Sequence, residues 1–126
     1  MNLTVETGAR VDVVDVTDDV ARLLPDDATG VCTVFVEHTT AGVAVNEAES
    51  RLLRDVERFV ADLAPESGWA HDEIDDNADA HLRSMLLGRD VTVPVTDGSL
   101  DLGTWQSILL VECDGPRRRR LDVRVH

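Results

Sequence analysis

The sequence predicts a small α+β domain, because Val-rich strand-like stretches outnumber helical ones and no βαβα rhythm persists along its 126 residues. That length fits a single domain over residues 1–126, which buries roughly two-thirds of its unfolded surface. It excludes a two-domain dinucleotide-binding enzyme, a full (β/α)₈ barrel and a long repeat array. A hydrophobic share of 43% supplies a core, and an aromatic share of only 3% makes that core aliphatic.

Taken in order, Leu3 to Glu6 and Val11 to Val16 read as strands with a turn at Gly8. Thr17, followed by Asp18 and Asp19, is expected to cap a short helix that runs through Leu24 and stops at Pro25. Val31 to Glu37 is the strongest strand of the first half, and Ala41 to Asn46 follows as a second. From Glu49 the period turns helical: Leu52, Leu53, Val56, Phe59, Val60 and Leu63 form one apolar stripe, ended by Pro65. An acidic loop covers Glu66 to Asp76. Asp76 or Asn77 then caps a second helix with Ala78, Leu82, Met85 and Leu86 on its apolar side and Gly88 at its end. Val91, Val93 and Val95 alternate with Thr92 and Pro94, and Asp97-Gly98 makes a turn. Trp105 to Cys113 and Arg119 to Val125 read as a hairpin joined through Asp114-Gly115-Pro116. In the last strand Leu121, Val123 and Val125 form a buried face against Arg120, Asp122 and Arg124. Cys32 and Cys113 sit in apolar strands and read as buried thiols.

The charge pattern excludes whole classes of function. Twenty-five acidic side chains face 12 basic ones, for a net charge of −13, which argues against binding a nucleic-acid backbone. Four aromatic residues are too few for a base-stacking platform. All 12 basic residues are Arg, and Asp outnumbers Glu 17 to 8. Such a surface suits a salt-rich host, where screening relieves its self-repulsion; a GC-rich coding bias is the plainer source of the missing Lys. The start of the chain lacks a basic segment followed by an apolar one, so no secretory signal is read. Apolar runs such as Ile108 to Val111 are too short to span a bilayer. No membrane association and a cytoplasmic location are expected.

Candidate chemistry centres on three histidines. His38 closes the Val31–Glu37 strand in phase with Cys32, Val34 and Val36, and leads into a small polar turn, Thr39-Thr40-Ala41-Gly42, that is either an anion cradle or a connector. His71 and His81 flank Asp72, Glu73, Asp75, Asp76, Asn77 and Asp79. Imidazoles among carboxylates suit a divalent ion such as Zn²⁺, with Asp72 or Asp79 placed to fix a ring's tautomer. Their spacing matches neither HExxH nor a zinc finger, and solvated loop chemistry stands beside the metal reading. Asn46 and Glu47, at a strand end, either cap the following helix or face a ligand. Trp105 opens the penultimate strand, and Arg117 to Arg120 are solvated charge or phosphate contacts. No Walker A, GxGxxG or GxSxG pattern occurs.

His38-Thr39-Thr40-Ala41-Gly42, Asn46-Glu47-Ala48-Glu49, His71-Asp72, Asp76-Asn77-Ala78-Asp79-Ala80-His81-Leu82, Met85-Leu86-Leu87-Gly88, Gly103-Thr104-Trp105-Gln106 and Asp114-Gly115-Pro116-Arg117 together resemble the YjbQ family, in order and spacing, along nearly the whole chain. Two departures are Ala48, where the family often has Asn, and Ser50-Arg51, where Pro-Gly is common. The resemblance implies a compact domain of antiparallel-rich sandwiched sheets with two main helices, assembled as a homotrimer. It also implies a polar cluster of His38, His71 and His81, and the label secondary thiamine-phosphate synthase. On that expectation the histidines gather a divalent metal, Zn²⁺ or Mg²⁺, and Glu47 orients a ligand or takes a proton. Thr39, Thr40 and Arg117 contact phosphate, with Asn46, Asp79 and Thr104 as further ligand-binding candidates. The substrate would be a small phosphorylated metabolite. Two alternatives stand beside this: a metal-dependent hydrolase or lyase on another phosphorylated or heterocyclic metabolite, and a non-catalytic trimer that binds a small anion.

Overall fold

The computed structural model describes residues 1–126. Its elements run β1 (Asn2–Glu6), β2 (Asp12–Asp15), α1 (Thr17–Leu23), β3 (Gly30–Val36), β4 (Ala41–Asn46), α2 (Ser50–Asp62), α3 (Ala78–Leu87), β5 (Asp90–Thr96), β6 (Ser99–Leu100), β7 (Ser107–Glu112) and β8 (Arg118–Val125), with a 3₁₀ turn at Ala70–Glu73 before α3. Every strand pair is antiparallel. The strands form a five-stranded sheet, β1-β8-β3-β5-β6, and a three-stranded sheet, β2-β7-β4. The α+β class is as the sequence predicts, and the packed antiparallel sheets are as the family resemblance implies. No helix is long and apolar enough to cross a membrane.

Strand alternation sorts side chains into layers. In β7, Ile108 and Leu110 point between the sheets and meet Val34, Val36, Val43, Leu121 and Val123. Leu109 and Val111 point the other way, onto Val60 of α2 and Ala80 of α3. The two helices thus cover the small sheet, while the large sheet turns Phe35, Arg120 and Arg124 toward solvent.

The chain crosses between the sheets three times at one end of the sandwich, from β1 to β2, β3 to β4, and β7 to β8. The expected hairpin of the last two strands is therefore a correction: β7 lies in the small sheet and β8 in the large one. One buried ion pair ties these crossovers together. Arg119 shares the inward phase of Leu121 and Val123, and it grips Glu112, the inward residue at the end of β7, through Nε at 2.8 Å and through Nη2. Arg119 Nη2 also donates to Thr40 Oγ1 at 2.8 Å and Thr40 O at 3.1 Å. Glu112 accepts from Thr7 Oγ1 at 2.7 Å and from the Asp114 N–H at 3.0 Å. With both partners buried, these bonds replace the water each charge has lost.

Three local expectations fail for identifiable reasons. Thr17 is the first helical residue, not a cap; its Oγ1 donates to Asp15 at 2.6 Å and accepts from the Ile108 N–H at 2.8 Å, which ties α1 to β7. Phe59, expected in the α2 stripe, is 65% exposed, and Val60 alone in α2 is fully buried. In α3 the apolar face is reversed: Met85 and Leu86 are 79% and 73% exposed, and Ala78, Asp79, Ala80, Arg83 and Ser84 turn inward. Polar bonds override the apolar pattern here. Arg83 pairs with Asp79 one turn away and donates through Nη2 to Ala61 O and Ala64 O at 2.8 and 2.9 Å, while Arg10 adds a two-point contact to Asp79 at 3.0 and 3.2 Å. Ser84 Oγ donates to Ala41 O at 2.8 Å. Gly88 closes the helix as expected, at φ 93°. The helix end rests directly on β4 because Gly42 has no side chain; a Cβ there would lie 2.8 Å from Gly88 O.

Candidate functional site

The crossover end of the sandwich is where the chemistry-bearing residues collect. His38 lies in the β3–β4 crossover, half-buried, and its Nε2 accepts the Arg120 backbone N–H at 2.8 Å. A backbone N–H only donates, so Nε2 carries the lone pair and the neutral ring bears its proton on Nδ1. Burial, then the Arg119 charge, lowers the His38 pKa against an opposing pull from Glu112 and Glu37. His38 is thus a neutral hydrogen-bond donor near pH 7.

His71 comes from the 3₁₀ turn, which Asp72 braces by accepting from the Trp69 N–H at 3.3 Å and the Ala78 N–H at 3.4 Å. His71 Nε2 lies 3.1 Å from Asn77 Oδ1, Asn77 Nδ2 donates to Asp114 Oδ2 at 3.0 Å, and Arg117 closes the chain with bonds to Asp114 O and Oδ2 at 3.0 and 3.3 Å. The His71 and His81 rings meet edge to face with centroids 5.0 Å apart. Ring hydrogen bonds are made by His38, His71 and His126, and His81 has none within the chain.

His81 and His38 line one cleft of about 870 Å³, together with Thr39, Ser84 and Arg89. Arg89 is the only guanidinium in its wall and lies 3.6 Å from the Asp90 carboxylate, while Glu37 pairs with Arg120 at 3.2 Å. His81 also borders a smaller depression of about 360 Å³ with Trp69, His71 and Leu82. Within one chain these residues do not fit an ion held by three histidines. The unengaged nitrogen of His38 carries a proton where a ligand needs a lone pair, and no group of three His, Cys, Asp or Glu side chains is arranged to hold a metal.

The remaining sequence candidates separate by position. Thr39 lines the cleft, but both Thr40 oxygens are taken by Arg119. Asp79 has no exposed surface and is held by Arg10 and Arg83, so Asn77 rather than Asp79 contacts His71. Arg117 reaches the histidines only through Asp114 and Asn77. Asn46 and Glu47 lie at the far end of β4, about 17 Å along the strand from Ala41, beside Leu52, Trp105 and Gln106. Thr104 adjoins that second patch, which one chain does not bring to the histidines. Asn46 Oδ1 accepts from the Glu47 N–H at 2.8 Å, and Glu49 is the residue that caps α2, accepting from the Leu52 N–H at 2.7 Å.

Four residues escaped the sequence reading as parts of this end: Asn77 and Asp114 as supports of His71, and Glu112 and Arg119 as its internal brace. Arg119 had a signal, since it falls in phase with Leu121, Val123 and Val125, where a lone charge calls for a buried partner.

Comparisons with known proteins agree on kinship. The family model described as UPF0047 protein YjbQ-like matches residues 1–126. A UPF0047 protein of Archaeoglobus fulgidus is 47% identical over 125 residues, covering 98% of each chain. One of Methanothermobacter thermautotrophicus is 46% identical over 126 residues, covering 98% of this chain and 88% of its own. The crystal structure of a hypothetical protein from Aeropyrum pernix K1 superposes with a TM-score of 0.95 at 44% identity, covering 100% of this chain and 96% of that one. On whole-chain agreement in sequence and in fold, this chain belongs to the YjbQ-like UPF0047 family.

Proposed function

We propose that the His38–His81 cleft binds a small phosphorylated heterocyclic metabolite and acts on it by hydrogen-bond donation and proton transfer, with thiamine phosphate formation as the first reaction to assay. The observation that carries this reading is a neutral His38 with a free Nδ1–H, set across one cleft from an unengaged His81. In that reaction a carbon–nitrogen bond forms between the pyrimidine methylene and the thiazole nitrogen as the carbon–oxygen bond to diphosphate breaks. Nδ1–H of His38 would donate to an oxygen that gains charge as diphosphate leaves, with Thr39 and Arg89 beside it.

The cleft wall of one chain holds a single guanidinium, and Asp90 beside it offsets its charge, which is poor in positive charge for two phosphate-bearing substrates. This favours completion by a second copy. In the proposed homotrimer, the Asn46, Glu47, Thr104 and Trp105 patch of one subunit meets the histidine end of the next. Exposed Phe59, Met85, Leu86 and Trp105 supply apolar surface for such contacts. The acidic, Lys-free surface fits a salt-rich interior, and stability is expected to rise from dilute buffer to molar KCl.

The decisive assay combines the aminomethylpyrimidine diphosphate and the thiazole phosphate with purified protein, at several salt levels, with and without divalent metal. Product above background, reduced about 100-fold in His38→Ala, supports the proposal. No product under any condition removes it. Light scattering is expected to give three times the chain mass, and a monomer at micromolar concentration would contradict the shared site.

A further inference from the structure

We propose that the scaffold locks His38 and His71 in opposite tautomers, with Asn77, held by Asp114 and Arg117, as the positioning residue for His71, so that the two rings present one donor and one acceptor on either side of an unconstrained His81. The proposal rests on the reading of this end as a ligand site, but it concerns a property of the protein without ligand.

Each assignment follows from groups whose roles are fixed. The Arg120 N–H forces the lone pair onto His38 Nε2 and the proton onto Nδ1, the minor form of a free imidazole in water. For His71 the logic passes through an amide. An ionised Asp114 carboxylate only accepts, so it takes the Asn77 NH₂ group at 3.0 Å and turns Oδ1 toward His71. His71 must then donate from Nε2 across 3.1 Å, which leaves the lone pair on Nδ1. The amide's orientation is dictated by its network and is not a free choice.

Asn77 also sits where its side chain would normally serve the helix. It is the N-cap residue of α3, a position where Asn is among the preferred caps, yet its side chain makes no capping bond. The buried amide instead spans 37 residues of sequence to Asp114 and steadies the exposed ring of His71. His81, edge-on to His71 and across the cleft from His38, is the one of the three whose ring is free to take either form. The cleft thus offers a ligand a donor from His38, and the smaller depression an acceptor from His71, with His81 bordering both.

The test is nitrogen NMR on full-length protein labelled with ¹⁵N-histidine, without ligand and above pH 7, where the neutral rings report their tautomers directly. Wild type is expected to show His38 as Nδ1–H and His71 as Nε2–H, each favoured at least tenfold over the other form. Asn77→Ala should return His71 to the mixture of a solvated imidazole, and His38 should stay unchanged in that variant. Wild-type His38 in the Nε2–H form, or His71 averaged or in the Nδ1–H form, overturns the proposal. A His71 spectrum unaltered by Asn77→Ala overturns the role of Asn77. The wild-type measurement stands even if a variant fails to fold, and it is independent of whether any thiamine phosphate is made.

Discussion

Helices α2 and α3 lie side by side on the same face of the small sheet, and they are held there by opposite means. α2 offers a conventional apolar stripe, but most of it is only half-covered, and Val60 is its single fully buried residue. α3 turns an ion pair inward and leaves Met85 and Leu86 in solvent. The difference shows what position demands. α3 must present His81 at the crossover end while Ser84 and Gly88 bind β4, and short polar anchors fix a helix in rotation more tightly than a sliding apolar contact does. α2 carries none of the three histidines and tolerates a looser fit.

The sharpest way to break this contrast is Asp79→Ala. It leaves Arg83 buried and uncompensated and is expected to cost about 3–5 kcal/mol in urea unfolding. Acid sharpens the same point. Burial pushes the Asp79 carboxyl up, but hydrogen bonds from Arg10 and Arg83 more than reverse this, so its pKa lies below the ordinary value. The same balance holds for Glu112 between burial and its bonds from Arg119, Thr7 and the Asp114 N–H. A carboxylate with a lowered native pKa contributes fully above its unfolded value of about 4 and loses that contribution as pH falls through the native value. Unfolding free energy should therefore drop from about pH 4 downward, and less steeply in Asp79→Asn, as read by chemical denaturation across pH. Val60→Ala tests the α2 side and should cost about 1–3 kcal/mol. Smallest is Leu86→Ser, expected to change single-chain stability by less than about 0.5 kcal/mol; in light scattering it should weaken the proposed trimer.

How far the sequence could be read follows the same line. Strand phases along β3, β5 and β8 were legible because alternation of apolar and polar residues is a local signal. The histidine end was legible as three motifs, but its geometry was not, since the His71 support joins Asn77 to a residue 37 positions away. The inward face of α3 was misread because Met and Leu outweigh Asp and Arg on any hydropathy scale, and only the nearby Arg10 and the α2 carbonyls make the polar face the better one to bury. The hairpin misreading has a similar origin: Asp-Gly-Pro marks a turn, and nothing local says that the turn changes sheets. Cys113 shows the outcome at a buried apolar position, its thiol pushed up by burial to about 12.

The order of strands also bears on how the chain is born. β7 is the middle strand of the small sheet, and β8 joins β1 to β3 in the large one, so both sheets are completed by the two strands made after the other six. Until then β1, β2 and β4 have no partner, while β3, β5 and β6 can already pair. At about 5–20 residues per second, a ribosome exposes those unpaired Val-rich edges for several seconds. Distant pairings of this kind also slow folding after release, and open edges invite pairing between neighbouring chains. The net charge of −13 opposes that encounter from the outset. Acidity that reads as a surface property of the folded domain is therefore also protection for the nascent one.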